Sequence, residues 1–284
     1  MNDHKIQAPP PVDQATYWNE QGGEKWVQNI DQIDRMINVF NSHLISAGSP
    51  QRGERVLDVG CGGATTSADF AAAVGKEGEV LGVDISKVIL DTARERHGAL
   101  PNLRFTLADA AHFRFETGYF DLLTSRFGVM FFDDPLGAFR NLRCALKQGG
   151  RIAFVCWRAM DENPWMATPA AAAFTILPAP QPSPPGAPGP FSFADRNRLS
   201  GILARAGFED IEINPVEALL NLGPLTSALE FFKRMGPASS ALAQAPSDDA
   251  DHAIQAMEEV LREHLNDGDV RMRGAIWVVR ARAS

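Results

Sequence analysis

Hydrophobic positions along the middle of this chain switch repeatedly between two periods. Short apolar runs at 55–59, 79–83, 103–107, 120–124 and 150–156 have the length of buried strands. Between them, 64–74, 86–98 and 135–147 carry apolar residues at helical spacing, with Leu136, Phe139, Leu142 and Leu146 forming the face of the last. Asp134 before Pro135 predicts an N-cap with proline in the first turn, and Gly149-Gly150 predicts the stop. This alternation predicts an α/β fold: a doubly wound, mostly parallel sheet with helices on both faces. Upstream, Trp26, Ile30, Ile33, Ile37, Phe40 and Leu44 recur at steps of four and three, predicting one amphipathic helix over about 24–46.

After Trp157 the pattern lapses. Pro164 and Pro169 bracket a turn, Ala170 to Leu177 has the composition of one small apolar helix, and Pro178 to Pro190 holds seven prolines. Proline cannot donate to a sheet ladder and favours polyproline II, so this stretch reads as an extended, stiffened connection. The pattern resumes with a helix over Asp195 to Ala206 ended by Gly207, a strand over 209–214, helices at about 225–235 and 249–266, and a strand over 274–280. The second of those helices carries Ile254, Met257, Leu261 and Leu265 on one face. The expected organisation is a disordered tail (1–14), an α/β core with an N-terminal lid helix (15–157), a proline-rich cap insertion (158–194), and a segment (195–284) that completes the core and adds a helical cap at 225–266.

The chemistry sits at the carboxyl ends of the predicted strands. The first strand ends on Asp58 and runs into Gly60-Cys61-Gly62-Gly63-Ala64, a glycine-dense turn before a helix. Gly60 and Gly62 lack a Cβ, so backbone there can turn sharply and approach a ligand. The second strand ends on Asp84, and the third is followed by Ala108-Asp109-Ala110. Three acids therefore follow three consecutive strands, at the edge where open α/β sheets bind ligands. A dinucleotide fingerprint needs a third glycine where Thr65 stands, and no G-x-x-x-x-G-K-[ST] occurs, which counts against a nicotinamide-dependent oxidoreductase and a P-loop enzyme.

From about Tyr17 to Trp157 the chain resembles the class I S-adenosylmethionine-dependent methyltransferases, and most closely their ubiquinone/menaquinone-biosynthesis-type small-molecule branch. Asp58-Val-Gly-Cys-Gly matches the family's first motif, Asp84 its ribose-binding acid, and Ala108-Asp109-Ala110 its adenine-contact motif. Ala64 departs from the glycine many members carry, and a slightly altered turn is expected. The resemblance implies S-adenosylmethionine as cofactor, a seven-stranded sheet whose last strand is antiparallel, and strands 209–214 and 274–280 paired at its end. The binding set it implies is Asp58 and the Gly60 carbonyl at the methionine ammonium, Gly62 in the turn, Asp84 at the ribose, Asp109 and the Ala110 N–H at the adenine, and Ser125 at the methionine portion. It also lays the N-terminal helix over the cofactor, making Tyr17, Trp18 and Trp26 candidates for closing the pocket.

Methyl transfer from a sulfonium is an in-line displacement that chiefly needs alignment and dryness, so no universal catalytic residue is expected and none is assigned. His112, Asp133 and Asp134 are the candidate bases, each with an ordinary alternative as a loop or cap residue. Arg126 could hold a substrate carboxylate or pair with an acid. Phe127, Met130, Phe131, Phe132, Trp157 and Trp165 point to an apolar or aromatic small-molecule acceptor, or simply to core. A cofactor-binding regulatory or assembly protein without turnover is the alternative on the same scaffold.

Composition narrows the partners. A net charge of −8 argues against a nucleic-acid substrate, and 45% apolar residues suffice for a core. Cys61, Cys144 and Cys156 are too few and too scattered for a disulfide framework or a zinc site, so no metal is expected and a reducing cytoplasm is. No signal-peptide core and no membrane-spanning run are evident, and the oligomeric state, including a homodimer, stays open.

Overall fold

The computed structural model describes residues 13–181 and 184–284, so the expected tail lies outside the described residues apart from Asp13 and Gln14. These two open helix α1 (Gln14–Asn19), Asp13 capping it by accepting from the Thr16 N–H at 3.1 Å. The strands are β1 (Arg55–Val59), β2 (Glu79–Asp84), β3 (Leu103–Leu107), β4 (Phe120–Arg126), β5 (Leu146–Trp157), β6 (Phe208–Asn221), β7 (Leu265–Asn266) and β8 (Asp269–Ala283). They form one sheet in the order β3-β2-β1-β4-β5-β8-β6, with β7 paired to β8 off the main path. Strands β1 to β5 run parallel to one another, and β8 is antiparallel to both β5 and β6. The central strands are buried on both faces (Val56, Leu57, Leu122, Leu123 and Ile152 to Val155), which is why they read as unbroken apolar runs.

The crossover helices follow the expected alternation: α5 (Thr65–Val74), α6 (Lys87–His97), α7 (Pro135–Ala145) and α9 (Arg196–Ala206). Asp134 caps α7 by accepting from the Gly137 N–H, Pro135 takes its first turn, and Gly207 ends α9 at φ +92°. Gly149 and Gly150, however, do not stop α7. That helix ends at Ala145, β5 begins at once, and Gly149 (φ +73°) forms the bulge where the β4–β5 register shifts between Phe120 and Leu122.

The expected single N-terminal helix is broken into α2 (Gln21–Gln28), α3 (Ile30–Ile37), a 3₁₀ turn at Asn38–Phe40, and α4 (Asn41–Gly48). Asn29 makes the first break, at φ −116° and ψ 9°, its side chain donating to the Lys25 carbonyl. The apolar stripe survives: Ile30, Ile33, Ile37, Phe40 and Leu44 are all buried. Periodicity therefore located the face but could not register a bend that keeps the face inward.

The second half diverges more. Pro164 starts α8 (Pro164–Ala173) and Pro169 lies inside it, so the two prolines bracket no turn. The final strands are far longer than expected, and Pro215 is tolerated inside β6 because β6 is a sheet edge. Helix α12 (Ser247–Arg262) stops short of Leu265, which belongs instead to a β7–β8 hairpin turning on Asp267-Gly268, both at positive φ. Helices α10 (Leu225–Met235) and α11 (Ser239–Gln244) complete the fold.

Candidate active site

The glycine turn after β1 lies in backbone conformations that most residues avoid. Gly60 and Gly62 take φ +64° and +56°, and Ala64 is also left-handed at φ +63°, fully buried. The turn is wedged against the chain leaving β4: a Cβ on Gly60 would lie 2.8 Å from the Gly128 Cα, and a Cβ on Gly128 would lie 2.6 Å from the Val59 carbonyl oxygen. Glycine is thus required at Gly60 first by backbone against backbone. Phe127, before Gly128, is itself left-handed at φ +65°.

Beside this turn opens a cavity of about 620 Å³, within the range of small-molecule sites. Gly60, Gly62, Asp84, Asp109 and Ala110 line one part of it. Asp84 has one carboxylate oxygen accepting from the Gly62 N–H (3.0 Å) and the other from the Ser86 N–H (2.9 Å). Burial raises its pKa, and the N–H groups of Ser86, Gly62 and Ile85 work against that. Asp109 accepts from the Ala111 N–H at 3.0 Å and pairs with His112 Nδ1 at 2.6 Å, which raises the His112 pKa.

Asp58 and Ser125 stand apart from the other expected binding residues, since neither lines the cavity. Ser125 is buried and its hydroxyl is spent on the protein: it donates to the Val59 carbonyl and accepts from the Gly128 and Val129 N–H groups, pinning β4 to the turn. Its side chain therefore has a structural task, which leaves the expected contact with the methionine portion to its backbone. Asp58 lies beneath the turn, one oxygen accepting from Ser67 Oγ at 2.5 Å and Oδ1 without a partner. Burial pushes its pKa up to about 7, against the Ser67 hydrogen bond and the Arg126 charge, with the Asp84 charge adding to the rise. A carboxyl whose ordinary value is near 3.8 therefore keeps its proton longer in the folded state than in the unfolded chain. The native protein binds the extra proton between those values, so its contribution is full at low pH and is lost as pH rises through about 7. Ligand-free protein is expected to lose roughly 2–4 kcal/mol of stability from this group between pH 4 and 8. Urea unfolding across that range should give a flatter profile for Asp58→Asn than for wild type; equal profiles would place the ionised carboxylate in the folded state throughout.

The far wall is aromatic. Phe127 stacks on Trp157 with centroids 4.3 Å apart and planes 13° from parallel, and Trp165 lies 5.0 Å beyond. Met130, Phe131, Phe132, Met166 and Pro190 extend it, and α10 supplies Phe231, Phe232 and Met235. Of the two expected caps, 158–194 contributes Trp165, Met166 and Pro190, whereas 225–266 is represented by α10 and the Gly236 after it, because α11 and α12 do not line the cavity. Overhead, Trp18 packs edge-on against both Trp26 (5.8 Å) and Phe131 (5.0 Å), with Tyr17 beside it. The Asn19 side chain fastens this lid by donating to the Ile85 carbonyl and accepting from the Lys87 N–H, both just past Asp84.

Of the candidate bases, His112 is held by Asp109, Asp134 is the α7 cap, and Asp133 is an exposed lining residue. Arg126 pairs with an acid: its guanidinium donates to Asp34 Oδ1 at 2.5 Å and to Asn41 Oδ1 at 2.9 Å. Asp34, on α3, went unmarked in the sequence because one acid on an amphipathic helix looks like its solvated face. The aromatic and methionine side chains of α10 were equally silent, since nothing local ties residue 231 to strand β5.

The chain matches a family model described as "Methyltransferase domain" over residues 56–150. It is 31% identical over 130 residues to a demethylmenaquinone methyltransferase of Staphylococcus epidermidis, covering 44% of this chain and 54% of that protein. It is 31% identical over 147 residues to an aklanonic acid methyltransferase of Streptomyces sp. (strain C5), covering 50% and 67%. The chain thus spans about half the length of the first of these relatives. Among solved structures, a phosphoethanolamine N-methyltransferase 2 of Haemonchus contortus in complex with S-adenosyl-L-methionine superposes with a TM-score of 0.60 at 17% identity, over 96% of this chain and 60% of that one, a likeness of fold.

Proposed function

This chain belongs to the class I S-adenosylmethionine-dependent methyltransferases, and on that premise we propose that it transfers a methyl group from S-adenosylmethionine to a small, apolar or aromatic acceptor. The observation that carries this is a single cavity with Gly60, Gly62, Asp84, Asp109 and Ala110 in one part and the Phe127–Trp157–Trp165 wall in another. Each Asp84 oxygen, having accepted one N–H, keeps a lone pair for a ribose hydroxyl. Asp109 and Ala110 take the adenine, and the Gly60 carbonyl takes the ammonium end. Asp58, beneath the same turn and outside the cavity lining, favours a cationic group there through its charge rather than by contact.

When bound, the sulfonium supplies a methyl group already activated for displacement. The protein's own task is then to align the acceptor and keep water out. Trp18, Trp26 and Tyr17 cover the cavity, and α10 with Trp165, Met166 and Pro190 closes its acceptor part. The parts of residues 158–194 and 225–266 that reach the cavity therefore act as a cap over the acceptor. The names of the relatives, a demethylmenaquinone and an aklanonic acid methyltransferase, agree with a small-molecule acceptor, and the branch resemblance points to an aromatic one. Among the described residues, no helix is long and apolar enough to cross a membrane.

A dinucleotide fits this turn poorly. Where a pyrophosphate would approach the start of α5, Thr65 Oγ1 donates to the Asp34 carboxylate at 2.8 Å, and Asp58 lies beneath the same turn. Binding without turnover is separated by an activity assay. S-adenosylmethionine at a hundred times its Kd should stabilise the protein by about 2.7 kcal/mol, a rise of several degrees in Tm, and NAD or NADP at equal concentration should not. A mass-detected methyl-transfer screen over aromatic metabolites then tests turnover. Stabilisation by the dinucleotides alone would overturn the proposal, and stabilisation by S-adenosylmethionine with no product across the screen would favour the non-catalytic reading.

A further inference from the structure

Resting on that reading of the cavity, we infer that Asp34 determines the charge of the acceptor: by cancelling Arg126 it makes the aromatic part of the site accept an uncharged molecule and refuse its carboxylate counterpart. Arg126 is the one residue with a permanently cationic side chain among the described residues lining the cavity; the other charged lining residues, His112 apart, are carboxylates. It directly precedes Phe127, whose ring forms the stacked wall with Trp157. A free guanidinium in that place would recruit an aromatic carboxylate or phosphate, because it is a bidentate donor beside an apolar surface.

Asp34 prevents this. The pair is largely shielded from solvent, the Arg126 side chain 9% and the Asp34 side chain 14% exposed, so their charges meet with little screening. An acceptor anion would have to displace a carboxylate that is tethered to α3. Asp34 is further anchored by its other oxygen, which accepts from Thr65 Oγ1 at 2.8 Å and lies 3.4 Å from Arg96. Asn41 occupies a second guanidinium nitrogen. A competing carboxylate that left the pair intact would sit beside Asp34's charge and gain no partner. The same carboxylate joins the lid helix α3 to the first residue of α5 and the last of β4, so the charge filter is part of the frame that assembles the site.

The test uses the full chain, with and without S-adenosylmethionine, and three aromatic probes of one shape: naphthamide, naphthoate and naphthylmethylammonium. Quenching of the wall tryptophans Trp157 and Trp165 reports occupancy, and calorimetry gives affinity. Wild type should bind naphthamide more than about tenfold tighter than naphthoate. Asp34→Asn should shift the naphthoate-to-naphthamide affinity ratio by about tenfold or more toward naphthoate, since it leaves Arg126 uncompensated. Arg126→Gln should gain instead for naphthylmethylammonium, because it leaves Asp34 with only the longer 3.4 Å pairing to Arg96; removing one member of a shielded pair is destabilising, and these arms of opposite sign let either variant stand alone should the other fail to fold. Tighter binding of naphthoate than naphthamide by wild type, or both variants keeping the wild-type order, would overturn the inference. So would a large loss of cofactor affinity in Arg126→Gln with no change in probe preference, which would assign Arg126 to the cofactor. If S-adenosylmethionine raises Tm but no probe binds, the inference falls and the proposed function stands; if S-adenosylmethionine itself does not bind, that reading fails first.

Discussion

Gly60→Val is expected to abolish cofactor binding, with a loss of more than about a hundredfold in affinity, and to destabilise the fold by about 2–4 kcal/mol. Two costs add. Valine would have to hold φ +64°, where a β-branched residue is disfavoured, and its Cβ would stand 2.8 Å from the Gly128 Cα. That contact is with backbone rather than a flexible side chain, so relief requires β1 and the chain leaving β4 to separate. That separation would drag Phe127 off Trp157 and break the Ser125 bridge to the Val59 carbonyl, disturbing both parts of the cavity together. Calorimetric titration with S-adenosylmethionine, beside a circular-dichroism check that the sheet persists, measures both effects. A folded variant that binds normally would show that this turn is free to move away from Gly128 and is no part of the site.

The parallel half of the sheet was legible because burial on both faces leaves a plain mark: Val56-Leu57 and Leu122-Leu123 have no polar alternation to confuse with a helix. The acids at strand ends were legible for a related reason. Topology fixes where a strand end lies, so Asp84 and Asp109 reach the same cavity without any knowledge of their side-chain partners. Asp58 and Ser125 also stand at strand ends but are not in the cavity lining: one residue's difference in position decides whether a side chain opens on the cavity or turns beneath it. Sequence spacing does not resolve that difference when the turn between them is left-handed at three positions.

What stayed hidden was long-range. The length of β8 depends on its having neighbours on both sides, β5 and β6, and no local propensity reports partners that lie far off along the chain. The Asp34–Arg126 pair spans 92 residues and joins two groups that are unremarkable apart. The β7–β8 hairpin is different, since Asp267-Gly268 was a readable turn signal; the helical stripe ending on Leu265 overran it.

The second large effect belongs to Asp84. Asp84→Ala is expected to weaken S-adenosylmethionine binding by about 1.5–3 kcal/mol, roughly ten- to a hundredfold, the usual loss when a charged hydrogen-bond partner is removed. Part of that loss is direct, through the ribose hydroxyls. Part is indirect, because alanine would leave the Gly62 and Ser86 N–H groups without their acceptor and loosen the turn that the ligand meets. Asp84→Asn separates the two. Its amide keeps one acceptor oxygen but presents donors to an N–H already in place, so its affinity should fall between wild type and alanine. Because burial raises the Asp84 pKa, wild-type affinity should also decline as pH falls and the carboxyl takes up a proton, and the alanine variant should lack that part of the decline. Titration calorimetry on the three proteins across pH decides it. Unchanged affinity in folded Asp84→Ala would remove Asp84 from the site and, with it, the assignment of the second strand end to the cofactor.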